Sequence, residues 1–195
     1  MGTDKTAVGR QCILDRAQAL FAAHGYHGVS IRDIVHACGL SNAALYYHFG
    51  NKQNLFIEVL RAYVSAMIER LRAASQGGGT CRQRLVRVAG SYARFIAESQ
   101  SAIQVLLRDV AQFEQEEIQQ MLPDMETQIP GVIATILEEG IKAGEVGAID
   151  TQDVGTMLLG MVNALVMRRL YAGAGKNLDK DVEGALDLLF EGIGI

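Results

Sequence analysis

Tyr46, Tyr47, His48 and Phe49 form an unbroken run of rings, and Lys52 follows the histidine by four positions. An imidazole suits acid–base chemistry or metal ligation, phenols can donate to phosphate or line an apolar wall, and a lysine supplies a compact positive charge. The run can be an aromatic core plug, a metal or catalytic centre, or a helix that offers its side chains to another molecule. His24/His27 and His36/Cys38 have spacings that can ligate zinc. Neither has a second pair at finger spacing, so no metal is expected. His48 has no neighbouring Ser, Cys or Asp that forms a nucleophile–base pair, which speaks against an enzyme. Glu114, Glu116 and Glu117 do not share one helix face and read as a solvated charge run. The triple glycine at 77–79 follows no strand and precedes no GK[ST], so it reads as a helix connection and not a phosphate cradle. No cofactor is expected. Cys12, Cys38 and Cys81 are an odd number without CxxC spacing. They suit a reducing cytoplasm and read as small buried hydrophobes rather than redox sensors.

Elements must hold these residues in place. Of 195 residues 49% are hydrophobic and 21% charged, so a sizeable core can form and disorder is not expected. Pro123 and Pro130 are the only prolines and β-branched runs are scarce, which makes the expected class all-α, with about nine helices. Ile13, Leu14, Ala17, Leu20 and Phe21 form the stripe of an amphipathic first helix, stopped at HGYHG (24–28) with Gly25 as its left-handed cap. Ser30-Ile31-Arg32-Asp33 fits a capping box and opens a short helix that ends at Gly39. Ser41 or Asn42 caps a third short helix through His48 or Phe49. Asn51 caps a long helix with an apolar stripe from Leu55 to Leu71, and further helical segments are expected at roughly 80–98, 101–120, 124–143, 151–172 and 178–192.

Two short helices joined at Gly39 describe a helix-turn-helix, whose second helix presents its N-terminal residues to base edges in the major groove. A plain αα-hairpin without a ligand is the alternative. SNAA (41–44) is small and polar, able to enter a groove and of little use to a core. One helix cannot bury Tyr46, Tyr47 and His48 on one face, whereas Leu45 and Phe49, at i and i+4, can form the core side. Charge is divided in the same sense. Residues 1–52 carry five Lys/Arg against three acids and the remainder 13 against 19, within a net charge of −4. A basic head on an acidic body fits a DNA-reading module joined to a domain with another task. The expected division is 1–52 and 53–195.

The segments ILDRAQALFAAHGYHG (13–28) and VSIRDIVHACGLSNAALYYHFGNKQNLFIEVL (29–60) resemble the N-terminal domain of the tetracycline-repressor (TetR) family of bacterial transcription regulators. The likeness covers about residues 8–60; the rest matches only in helical layout. Carried over position by position, the resemblance implies base contacts from Arg32, Asn42, Ala43, Ala44 and Tyr46. It implies phosphate contacts from Ser30, Ser41, Tyr47, His48 and Lys52. The chemistry agrees: arginine pairs with guanine, asparagine with adenine, alanine methyls meet thymine, and hydroxyls, imidazole and ammonium suit phosphate.

Behind the head, Tyr92, Phe95, Phe113, Met121, Met125 and Met157 are candidates to line a cavity for an apolar ligand. Val154, Leu158, Met161, Leu165, Leu186, Leu189 and Phe190 give the last two helices apolar faces that suit a homodimer interface, where the family's dimerising pair lies. The expected function is ligand-responsive repression at a palindromic operator in double-stranded DNA, released by a small apolar or amphipathic effector. The rivals are a TetR-like activator or ligand-independent regulator, and a helical enzyme. The 14-residue apolar stretch Val154 to Met167 is too short to span a bilayer, and the N-terminus has no signal-peptide pattern, so a cytoplasmic protein is expected.

Overall fold

The computed structural model describes residues 3–99, 127–172 and 177–193, and they form eight helices with no strand among them. These are α1 (Thr3–His24), α2 (Ile31–Ala37), α3 (Asn42–Phe49), α4 (Lys52–Ser75), α5 (Cys81–Glu98), α6 (Ile129–Lys142), α7 (Thr151–Ala172) and α8 (Leu178–Ile193). The all-α class is as expected, and the helix read at 101–120 lies outside the described residues. The chain divides into two compact units within α4: one runs to Val64, and the other takes Ser65–Glu98 with the described residues from 127 onward.

In the first unit the stripe on α1 places Ile13, Ala17 and Phe21 at 0% exposure, against Ile34 and Val35 of α2, Leu45 and Phe49 of α3, and Leu55, Phe56 and Val59 of α4. Phe21 meets Phe56 edge-on at 5.2 Å between ring centres, and Tyr26 packs on Phe56 at 5.1 Å. Aromatic pairs of this geometry add about 0.5–1.5 kcal/mol beyond area burial. Gly25 does end α1, with φ 75° and its N–H donating to Phe21 O at 2.9 Å. Asn51 does cap α4, its Oδ1 accepting from Asn54 N at 2.7 Å.

The second unit packs α5 against α6, α7 and α8, with further α6–α7 and α7–α8 contacts. Leu85, Val88, Tyr92 and Phe95 of α5, Ile133, Ile136 and Leu137 of α6, Leu158, Val162 and Val166 of α7, and Val182 and Leu186 of α8 are its core. Cys81 is buried too, under Gly140, where an added Cβ would stand 2.7 Å from its sulfur. The glycine connection after α4 is held from α5: the Arg87 guanidinium donates to the carbonyls of Gly77 (2.6 Å) and Gly78 (3.0 Å).

The apolar faces of α7 and α8 turn out to be divided. Leu158 and Leu186, expected at a dimer interface, are 1% and 0% exposed inside their own subunit. They are core residues, because α7 and α8 each need an inward stripe to cover α5. Val154, Met161, Leu165, Leu189 and Phe190 are half-buried. Among the described side chains of α7 and α8, the large apolar ones left outward are Met157, Met167, Tyr171 and Leu188.

Candidate nucleic-acid interface

The helix-turn-helix is built by three local hydrogen-bond systems. At the head of α2, the Ser30 hydroxyl accepts from Asp33 N (3.2 Å) while the Asp33 carboxylate takes both the Ser30 backbone N–H (2.8 Å) and hydroxyl (2.6 Å). This is a complete capping box, and those bonds hold the Asp33 carboxyl below the usual carboxylate range. At the other end, Gly39 N donates to His36 O (3.1 Å) and Leu40 N to Val35 O (2.9 Å), with Gly39 at φ 65°. That pair of bonds is the Schellman motif, which needs a left-handed residue and so selects glycine. It fixes the direction in which the chain leaves α2. Ser41 then caps α3, accepting from Ala44 N at 3.4 Å.

With α3 so placed, Leu45 (0% exposed) and Phe49 (5%) face the unit's core, as the i, i+4 spacing predicts. Asn42, Ala43, Tyr46 and Tyr47 are exposed, Tyr46 at 51% and Tyr47 at 78%; Ala44 and His48 are half-buried. Arg32 is exposed in the first turn of α2. Four of the five expected base-contacting residues, Arg32, Asn42, Ala43 and Tyr46, are therefore exposed on the two short helices, and Ala44 is half-buried.

The expected phosphate-contacting residues are less alike. Tyr47 is 78% exposed, and Ser41 is exposed while its hydroxyl oxygen caps α3. The Ser30 hydroxyl proton is already given to Asp33. The His48 ring lies against α1, its Nε2 3.7 Å from where a Cβ on Gly9 would sit, and meets the Tyr47 ring edge-on at 5.0 Å. The Lys52 ammonium stands 4.1 Å over the Tyr26 ring, which orients it at the start of α4.

One residue with a structural part in this unit escaped the sequence reading. The Arg10 guanidinium lies 4.9 Å from the Phe49 ring centre and bonds the Glu58 carboxylate at 2.9 Å; Glu58 also accepts from Arg61 at 2.8 Å. Arg10 thus joins α1, α3 and α4 behind the exposed face. Its partners lie far along the chain, and no local spacing announces them.

In the second unit Tyr92 is 7% exposed and its hydroxyl donates to Asn163 Oδ1 at 3.1 Å. Burial raises the phenol's pKa, opposed by that hydrogen bond. Phe95 is 7% exposed beneath the Arg70 guanidinium. Met157 is 62% exposed, on a different side of α7 from the buried Leu158 stripe, while Phe113, Met121 and Met125 lie outside the described residues. Among the described residues no cluster of three or more His, Cys, Asp or Glu could hold a metal, and no helix is long and apolar enough to cross a membrane.

Residues 13–59 match the family model of bacterial regulatory proteins of the tetR family, and residues 78–167 match that of the tetracyclin repressor-like C-terminal domain. The chain belongs to the TetR family. It is a ligand-binding transcriptional regulator and not an enzyme; regulators of the TetR family bind DNA as dimers and respond to small-molecule effectors. The transcriptional repressor KstR2 of Rhodococcus jostii is 24% identical over 181 residues, covering 93% of this chain and 89% of that one. The repressor AcnR of Corynebacterium glutamicum is 42% identical over 66 residues, 34% of this chain and 35% of its own. A TetR-family regulator from Mesorhizobium loti shares the fold at a TM-score of 0.84 and 17% identity, covering 97% of this chain and 98% of that one.

Proposed function

We propose that this TetR-family protein is a cytoplasmic homodimeric repressor that binds a palindromic operator and is released by a small apolar or amphipathic molecule held in its second unit. The observation that carries the DNA-reading half is the division of α3: Leu45 and Phe49 are buried behind it while Asn42, Ala43, Tyr46 and Tyr47 stand outward. Residues 1–52 would form the head and 53–195 the effector and dimerisation domain. Arg32 and Asn42 would carry most of the direct base readout, since the alanines at 43 and 44 offer only methyl contact. Tyr47, Ser41, Lys52 and His48 would anchor phosphates; Ser30 would contribute mainly by fixing α2, its hydroxyl being engaged.

The effector reading is supported by the hydrogen bond between buried Tyr92 and half-buried Asn163, a polar pair between the largely apolar inward faces of α5 and α7. Helix α4 has its first half in one unit and its second half in the other, so a ligand that favours one setting of its second half would act on the head. Asn42→Ala should relax discrimination among operator variants by about 1–3 kcal/mol at one base pair in each half-site. Competition binding of the purified variant against a set of single-base operator changes checks this. Unchanged discrimination would remove Asn42 from the reading surface.

A further inference from the structure

Arg10 belongs to neither the base-contacting nor the phosphate-contacting set, yet its surroundings in the first unit give it a part in recognition. Gly9 and Arg10 of α1 are where α3 is seated. A Cβ added at Gly9 would stand 3.7 Å from His48 Nε2 and 3.8 Å from Leu40 Cδ1. Leu40 belongs to the turn that leads into α3, and His48 to the last turn of α3 itself. The Arg10 guanidinium covers the ring of Phe49, the last residue of α3, at 4.9 Å from its centre. The approach to the short α3 and its far end thus rest on two adjacent residues of α1.

The same guanidinium reaches α4. Its Nη2 donates to Glu58 Oε2 at 2.9 Å, while Glu58 Oε1 accepts from Arg61 Nη1 at 2.8 Å. Arg61, one turn further along α4, occupies one carboxylate oxygen and leaves the other for α1. The side chains of Arg10, Glu58 and Arg61 are 42%, 31% and 49% exposed, so ion pairs of this kind contribute little to folding stability. What they add to the apolar core is direction: hydrophobic burial is non-directional, whereas a charge-assisted hydrogen bond has a set length and angle.

We infer that Arg10 is a positioning residue for operator recognition: held by Glu58 and covering Phe49, it sets α3 against α1 and α4 so that the outward residues of α3 meet base edges. The inference rests on the DNA-reading function above and adds to it a residue that acts from behind the reading surface. Base readout demands placement within about half an ångström. Without the clasp α3 keeps its Ser41 cap and its buried Leu45, but the restraint on its last turn is gone. Glu58 separates this role from direct phosphate contact by Arg10. Removing a carboxylate from a DNA-binding head reduces repulsion of phosphate, so charge alone makes Glu58→Ala bind more tightly. Positioning makes it bind more weakly.

The test uses the full-length protein and a DNA duplex selected by the wild type from a randomised pool. Arg10→Ala and Glu58→Ala should each lower affinity for that duplex by about tenfold and narrow the discrimination against its single-base variants. The double variant should bind no more weakly than Arg10→Ala, since both changes remove one clasp. Urea midpoints should remain close to that of the wild type. Should an alanine variant fail to fold by circular dichroism, glutamine at the same position serves instead. Tighter binding by Glu58→Ala, with uniform weakening and a salt slope lowered by about one unit in Arg10→Ala, would make Arg10 a phosphate contact and overturn the inference. A fall in urea midpoint that matches the loss of affinity would reduce the clasp to a structural role, and unchanged affinity would remove it. If the wild type selects no duplex, the DNA-reading function fails and this inference with it; selection by the wild type with unaffected variants sinks this inference alone.

Discussion

Two residues four positions apart show how differently the exposed surface of the head is made. His48 is half-buried on α1 beside Gly9, and Lys52 is steered by the Tyr26 ring. A lysine held over an aromatic face loses little freedom when it meets a phosphate, and as a point charge it reads no sequence. Lys52→Gln should therefore weaken binding to all operator variants alike and reduce the slope of log affinity against log salt by about one unit. Titrations at several salt concentrations measure both; a change in base preference instead would mean that Lys52 reaches a base edge. The outward stance of Tyr46 and Tyr47 was legible in the sequence, because three consecutive rings cannot share one buried face. The contact of His48 with α1 was not, because it depends on a glycine 39 positions away.

At the scale of elements, caps hold the head more than helix length does. α2 has 7 residues and α3 has 8, too short to persist alone in water. The capping box and the Schellman turn supply what propensity cannot, and each satisfies backbone groups that would otherwise be orphaned. Ser30→Ala should lower the unfolding free energy by about 1 kcal/mol in the absence of any DNA, since it removes the acceptor for Asp33 N. Urea unfolding of the two proteins decides between this and a role limited to phosphate contact, which would leave free-protein stability unchanged. These caps were readable because each acts over three or four residues, within the span that a sequence pattern displays.

For the whole molecule, the second unit leaves Met157, Met167 and Tyr171 of α7 and Leu188 of α8 exposed, the last at 72%. Apolar side chains of this size in adjoining helices suit a covered surface between two copies of the chain. Leu188→Glu should leave the helical content intact and shift the protein to monomers in analytical ultracentrifugation. Operator affinity should fall with it, because two heads on a two-fold axis bind together. A dimer with full affinity would move the interface elsewhere. Deleting α7 and α8 is the poorer test: Leu158, Val162, Val166, Val182 and Leu186 complete the core around α5, so the truncated chain loses its fold along with its partner.

The order of short and long helices, their caps, the buried pair Leu45 and Phe49 and the family were all open to inspection in the bare chain. They rest on periodicity and on contacts between residues near in sequence. Choosing the inward leucine on α7 and linking Arg10 to Phe49 and Glu58 required the folded helices. α7 is apolar on more than one side, so its pattern admits several inward faces, and only packing against α5, α6 and α8 selects one.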